Sequence, residues 1–191
     1  RAQLISNYPF VNSSATFNIN TSGFEAAVGF TMPNQDYTVD SVMLRLNGYA
    51  TPTDNPQVGF YTNDSGQPGT LLGSFLNFPT SSSTSTANFT FTPASTITLA
   101  ANQTYWLWVK TSAGLFNWRS DNPATTPTGA ATHVGYITTT TGGTTWTSHA
   151  SQIATYQINA TPVPEPEQVA VAVAMLLCGF AGYRGFRRTS V

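Results

Sequence analysis

The sequence predicts an all-β fold: an antiparallel two-sheet sandwich, jelly-roll-like, with one hydrophobic helix appended at the C-terminus. Three observations predict it. Short runs of alternating apolar and polar residues recur from Thr16 to Ile158, and a period of two is the pattern of a strand with one buried face. Clusters of Gly, Pro, Asn and Ser separate the runs, as turns require. From Val169 to Tyr183 the alternation gives way to an unbroken apolar stretch.

Each element has its own grounds. Thr16-Phe17-Asn18-Ile19 alternates, and Ala27–Thr31 is a short second run. Tyr37–Leu46 places Val42, Leu44 and Leu46 on one face and Met43 and Arg45 on the other. Val58 and Phe60 alternate in the next run, which the turn formers Asn63-Asp64-Ser65-Gly66 end. Pro68-Gly69 sets a further turn before Leu71, Leu72 and Phe75. Phe89 and Phe91 alternate within Ala87–Thr92. Thr104–Thr111 sets Tyr105, Leu107 and Val109 against Trp106, Trp108 and Lys110. Val134–Thr138 and Ile153–Ile158 are the last runs. About nine short strands suggest two packed sheets, with Phe17, Phe30, Phe60, Phe89 and Phe91 filling the space between them. Thr80–Thr86 and Ser120–Ala131 read as loops. The predicted organisation is a β-sandwich ectodomain over 1–160, a Pro-rich linker over 161–168, and a hydrophobic helix with a basic end over 169–191.

The tail has three parts in order: Val163-Pro164-Glu165-Pro166, the apolar span, and the basic residues Arg184, Arg187 and Arg188. Val169 through Phe186 is about 18 residues, roughly 27 Å as a helix at 1.5 Å per residue, which just reaches across a bilayer core of about 30 Å. The arginines follow the span, so the positive-inside bias puts the C-terminus in the cytoplasm and the body outside. The arrangement resembles the PEP-CTERM sorting signal of bacterial surface proteins. The resemblance implies recognition by an exosortase-type membrane transpeptidase, a transient hold in the membrane through the tail, and delivery to the cell surface or extracellular matrix, often in biofilm formers. Given that export, the chain's start at Arg1 is expected to follow a removed secretion signal.

Only 8% of the residues are charged and the net charge is −1, against roughly 25% charged in an average soluble chain. There is no basic patch for nucleic acid. A surface so poor in charge is weakly protected against self-association, which suits assembly or residence in a matrix. The single cysteine, Cys178, lies in the tail, so neither a disulfide nor a cysteine metal site is expected in the body.

The body has a resemblance of its own, carried by Tyr37–Val42, by Val58-Gly59-Phe60-Tyr61-Thr62-Asn63-Asp64-Ser65-Gly66-Gln67-Pro68-Gly69, by Leu99–Leu107 and by Gly142-Gly143-Thr144-Thr145-Trp146. It is similar to the choice-of-anchor domains often joined to such tails. That implies a β-sandwich surface domain and brings no catalytic motif with it.

Catalytic patterns are scarce. His133 and His149 have no metal-site spacing, and no G-x-S-x-G turn occurs. A glycosidase needs two carboxylates facing a cleft, whereas Asp54, Asp64 and Asp121 lie in turn-rich sequence. No enzyme activity, cofactor or metal is expected. Asn63 and Asp64 offer oxygens to calcium, but six or more ligands are needed, and a turn explains both residues. Asn12, Asn20, Asn63, Asn88, Asn102 and Asn159 head Asn-x-Ser/Thr sequences compatible with a glycosylated surface. Trp106 and Trp108 share a strand face, and Trp118 and Trp146 come from nearby segments. Exposed and coplanar, they would stack on sugar rings; buried, they are core. The sequence therefore points to an exported surface or matrix structural protein that self-assembles into filaments, with an exopolysaccharide-binding module as the alternative.

Overall fold

Strands with bulky aromatics on one face bury them only against a second apolar surface, and this chain supplies that surface from its own second sheet. The structure is a computed structural model that describes residues 2–9, 15–50, 53–75 and 83–164. Within them the chain forms, in order, β1 (Ala2–Ser6), β2 (Ala15–Asn20), β3 (Glu25–Thr31), β4 (Tyr37–Asn47), β5 (Pro56–Asp64), β6 (Gln67–Phe75), β7 (Ala87–Phe91), β8 (Thr98–Leu99), β9 (Thr104–Thr111), β10 (Leu115–Asp121), β11 (Thr128–Gly129), β12 (Thr132–Thr139), β13 (Thr147–Ser148), β14 (Ile153–Ala154) and β15 (Tyr156–Pro162).

The strands make two antiparallel sheets. The larger follows the path β11-β1-β15-β4-β10-β14, with β2 added at β10 and β7 and β8 at β4. The smaller runs β13-β12-β3-β9-β5-β6. The chain passes repeatedly from one sheet to the other, and among the described residues consecutive strands pair in two places, β5 with β6 and β12 with β13. The first of these hairpins closes on two residues, Ser65 and Gly66, with φ of 53° and 87°. Two positive φ values match the twist of flanking strands, and the Asn-Asp-Ser-Gly sequence is suited to them.

One buried cluster spans both sheets. Val42, Leu44, Phe89, Phe91, Phe116 and Trp118 come from the larger, and Val28, Phe30, Phe60, Phe75, Leu107 and Tyr136 from the smaller. β4 and β9 show the predicted alternation. Val42, Leu44 and Leu46 are buried while Met43 and Arg45 are half-buried, and Tyr105, Leu107 and Val109 enter the core. Phe17 differs from expectation: it lies half-buried at the margin of the core, on β2.

Three segments depart from the sequence reading. β1 was not anticipated, yet it pairs with β15 through Ala2↔Ala160 and Ser6↔Gln157. β10 holds β2 on one side over six residue pairs, and part of it occupies the start of the predicted loop Ser120–Ala131. The expected strand Ile153–Ile158 is two strands, broken at Thr155. There the Thr155 amide and hydroxyl both donate to the Arg119 carbonyl at 2.9 Å, and the Trp118 indole donates to the Thr155 carbonyl at 2.9 Å.

The chain divides into a unit over Arg1–Thr161 and a second over Pro162–Val191. Glu165, Pro166, the predicted helix, Arg184, Arg187, Arg188 and Asn12 lie outside the described residues. Among the described residues, no helix is long and apolar enough to cross a membrane.

Candidate functional site on the outer face of the smaller sheet

In β9, Tyr105, Leu107 and Val109 point into the sandwich, so Trp106, Trp108 and Lys110 point away from it. Their neighbours across the ladder are fixed by register. β3 sets Gly29 beside Trp106 and Ala27 beside Trp108. β5 sets Tyr61 beside Trp106, Gly59 beside Trp108 and Gln57 beside Lys110. The result is a second buried cluster on the outside of the sheet: Ala27, Tyr61, Trp106 and Ile137, with Trp108 and Trp146 packed against it. This cluster is why β3 is buried on both faces from Ala26 to Phe30.

Small residues make room for the rings. A Cβ on Gly29 would stand 2.9 Å from the Trp106 ring, and one on Gly143 would stand 2.6 Å from Trp108 Cη2. Gly143 belongs to the turn 140–146, which lies over Trp108. That turn is held by Thr139 and Thr141, whose hydroxyls accept from the amides of Gly143 and Thr145 at 3.2 and 3.0 Å.

The four tryptophans thus do not form one platform. Trp118 is fully buried in the sandwich core. Trp106 is 3% exposed, and its Nε1 donates to Asn63 Oδ1 at 2.9 Å. Trp108 and Trp146 are half-buried and meet edge to face at 5.3 Å and 72°, so their planes are not shared. Trp108 also packs against Tyr61 at 4.8 Å.

Charge is placed at one end of the cluster. Lys110 Nζ lies 4.3 Å from the Trp108 ring centre and 5.9 Å from that of Tyr61, within cation–π range of both. Glu25 reaches the same region from β3. Burial raises its carboxyl pKa, and the nearby Lys110 charge and Trp108 indole offset this only in part. Glu25 Oε2 and Trp108 Nε1 are both buried outside hydrogen-bond geometry.

Two hollows flank the cluster. One, about 210 Å³, is lined by Gln57, Gly59, Tyr61, Leu71, Ser74 and Lys110 among others. The other, about 290 Å³, is polar and lined by Thr62, Asn63, Asn102, Gln103, Thr104 and Tyr105. Sequence reasoning singled out the tryptophans as site candidates; it named Gly59 and Leu71 only within a motif and a strand, and Gln57 and Ser74 not at all. The pairing of β5 with β6 brings those four together, and no single-strand pattern displays it.

The remaining candidates are dispersed. Asp36 accepts from the Ala101 amide, Asp40 from the Thr161 hydroxyl, and Asp64 from the Ser65 hydroxyl. Asp54 is nearly buried, and Asp121 is fully so. His133 faces the Tyr156 hydroxyl at 3.3 Å, and burial lowers its pKa to about 4. His149 meets the Thr138 hydroxyl at 2.7 Å, and burial lowers its pKa as well. Among the described residues, no three His, Cys, Asp or Glu side chains are grouped to hold a metal. Of the glycosylation candidates, Asn63, Asn88 and Asn102 are exposed and Asn20 and Asn159 half-buried. Asn63 is engaged by Trp106, and the Asn159 amide donates to Ser41 at 3.1 Å. No family model and no curated protein matches the chain.

Proposed function

We propose that the protein is an exported structural component of a bacterial cell surface or extracellular matrix. A jelly-roll-like sandwich is its body, and its PEP-CTERM-like tail is the sorting element. The observation that carries this reading is the tail itself, Val163-Pro164-Glu165-Pro166 followed by the apolar span and Arg184, Arg187 and Arg188. The body supports it in two ways. Its core is dominated by aromatic and aliphatic side chains rather than cross-links, and its polar groups serve turns and ladders more than any common cleft. The chain also reaches the motif directly from β15, a strand flanked by β1 and β4, so the tail departs from a firmly hydrogen-bonded element.

Self-association fits the low charge. β6 is an edge strand without a charged residue, and it exposes Leu71 and Leu72. Pro68 and two register irregularities blunt that edge, and β1 and β2 pair within the protein's own larger sheet rather than being left for a neighbour.

The test is intact mass spectrometry of the full chain, carrying a secretion signal, recovered from the surface of a host with and without an exosortase-type enzyme. The reading expects loss of mass at the tail only with the enzyme present, abolished by Pro164→Ala with Glu165→Ala. Recovery of uncut chain in the cytosol of both hosts would overturn it.

A further inference from the structure

We infer that the hollow over Gly59 is a binding site for an acidic sugar unit of a polysaccharide. On the outer face of the smaller sheet, β5 presents Gln57, Gly59 and Tyr61 in succession, and β6 sets Ser74 against Gly59 and Leu71 against Tyr61. Gly59 contributes no side chain, and a notch in the face beside it is lined by Gln57, Tyr61, Leu71, Ser74 and Lys110 among others. A Cβ at Gly59 would meet Leu71 Cδ1 at 2.9 Å, the Gly73 carbonyl oxygen at 3.1 Å and Tyr61 Cε2 at 3.3 Å, so only glycine lets Leu71 and Tyr61 close together here and form the wall of the hollow. At about 210 Å³ the notch is of a size for one ring-sized group.

The lining names the class of ligand. Tyr61 and Leu71 give an apolar wall, and Leu71 is half exposed. Gln57, Ser74 and Lys110 give an amide, a hydroxyl and an ammonium. A pyranose has apolar C–H faces and hydroxyls around its rim, which match the wall and the neutral polar groups. Among the described residues Lys110 is the one charged group in the lining, so the matching ligand carries an anion, and a ring carboxylate would receive a charge-assisted hydrogen bond there. Glu25, the acid that interacts with Lys110, comes from β3, across β9 from the notch. One such subsite binds weakly, and a polymer gains by offering many units.

The site does not depend on the tail, so this inference and the export reading fail separately. The test is electrophoresis of the full chain, kept soluble in mild neutral detergent, through gels containing polygalacturonate or neutral dextran. The protein's net charge of −1 provides no general attraction to a polyanion. Retardation is expected in polygalacturonate and not in dextran, weakened about tenfold by Lys110→Gln and abolished by Ser74→Phe, which fills the notch and keeps the lysine. Both variants should melt within a few degrees of the parent. Absence of retardation in polygalacturonate, equal retardation in dextran, or unchanged retardation with either folded variant would overturn the assignment.

Discussion

Asp54 accepts a hydrogen bond from the backbone amide of Leu115 at 3.1 Å, although sixty-one residues separate them. Its second oxygen accepts from the Ala50 amide at 2.6 Å, so one carboxylate ties Ala50 to the first residue of β10. Gly114 permits the approach: its φ is 76°, and a Cβ there would lie 2.0 Å from Asp54 Oδ1. Asp54→Ala leaves two amides without their partner and should cost about 1–3 kcal/mol in urea unfolding. Gly114→Ala should cost at least as much, because it adds an unfavourable φ to the collision.

Trp118→Phe removes the donor to the Thr155 carbonyl and leaves a gap at the centre of the sandwich core. The expected loss is about 2–4 kcal/mol, read from the denaturation midpoint with an unchanged slope. Trp146→Phe, at the edge of the outer cluster, should cost less than half as much.

Stability should fall as pH drops from about 6.5 to about 4. The unfolded chain takes up a proton on His133 near pH 6.5, whereas burial holds its pKa near 4 in the folded protein. Between those values the unfolded state binds more protons, so the slope is at most about 1.4 kcal/mol per pH unit. His149 is shifted in the same direction. Glu25 is shifted upward, and its penalty is relieved on acidification, which opposes the two histidines. Comparing parent and His133→Gln across the window cancels the other groups. Parallel curves would rule out His133 as the source.

Gly143→Ala should detach the turn 140–146 from Trp108. It places a Cβ within 2.8 Å of two ring carbons at a φ of 85°. A red shift in tryptophan emission is expected, with a loss of about 1–2 kcal/mol.

Ser65→Asn should stabilise the protein by up to about 1 kcal/mol. Ser65 occupies a left-handed conformation in a two-residue hairpin where Asn-Gly is the favoured pair. A higher melting temperature with the same unfolding enthalpy per degree would register it.

The strands that pack one face on the core were legible because alternation survives in the sequence: β4, β7 and β9 carry it clearly. β1 was hidden because its five residues bury only Leu4, Ile5 and Ser6, with two exposed before them. The break at Thr155 depends on a carbonyl of β10, a partner that no local pattern displays. At the outer face, the sequence showed Trp106 and Trp108 on one side of β9 but not what covers them. Turn 140–146 and Asn63 reach them from distant positions, so burial there is decided by tertiary pairing. The notch beside Gly59 was invisible for the same reason: side chains from three strands line it.

The pairing Ala2↔Ala160 joins the first strand of the body to the last, and β15 sits between β1 and β4 rather than at an edge. A chain made or threaded from its N-terminus therefore cannot close its larger sheet until residue 160 has emerged. Until then β1 lacks its partner in the middle of the sheet, and the long-range contacts that reward closure are missing. The larger sheet thus locks only when its final segment arrives, so the last strand to be made completes the middle of the sheet rather than an edge.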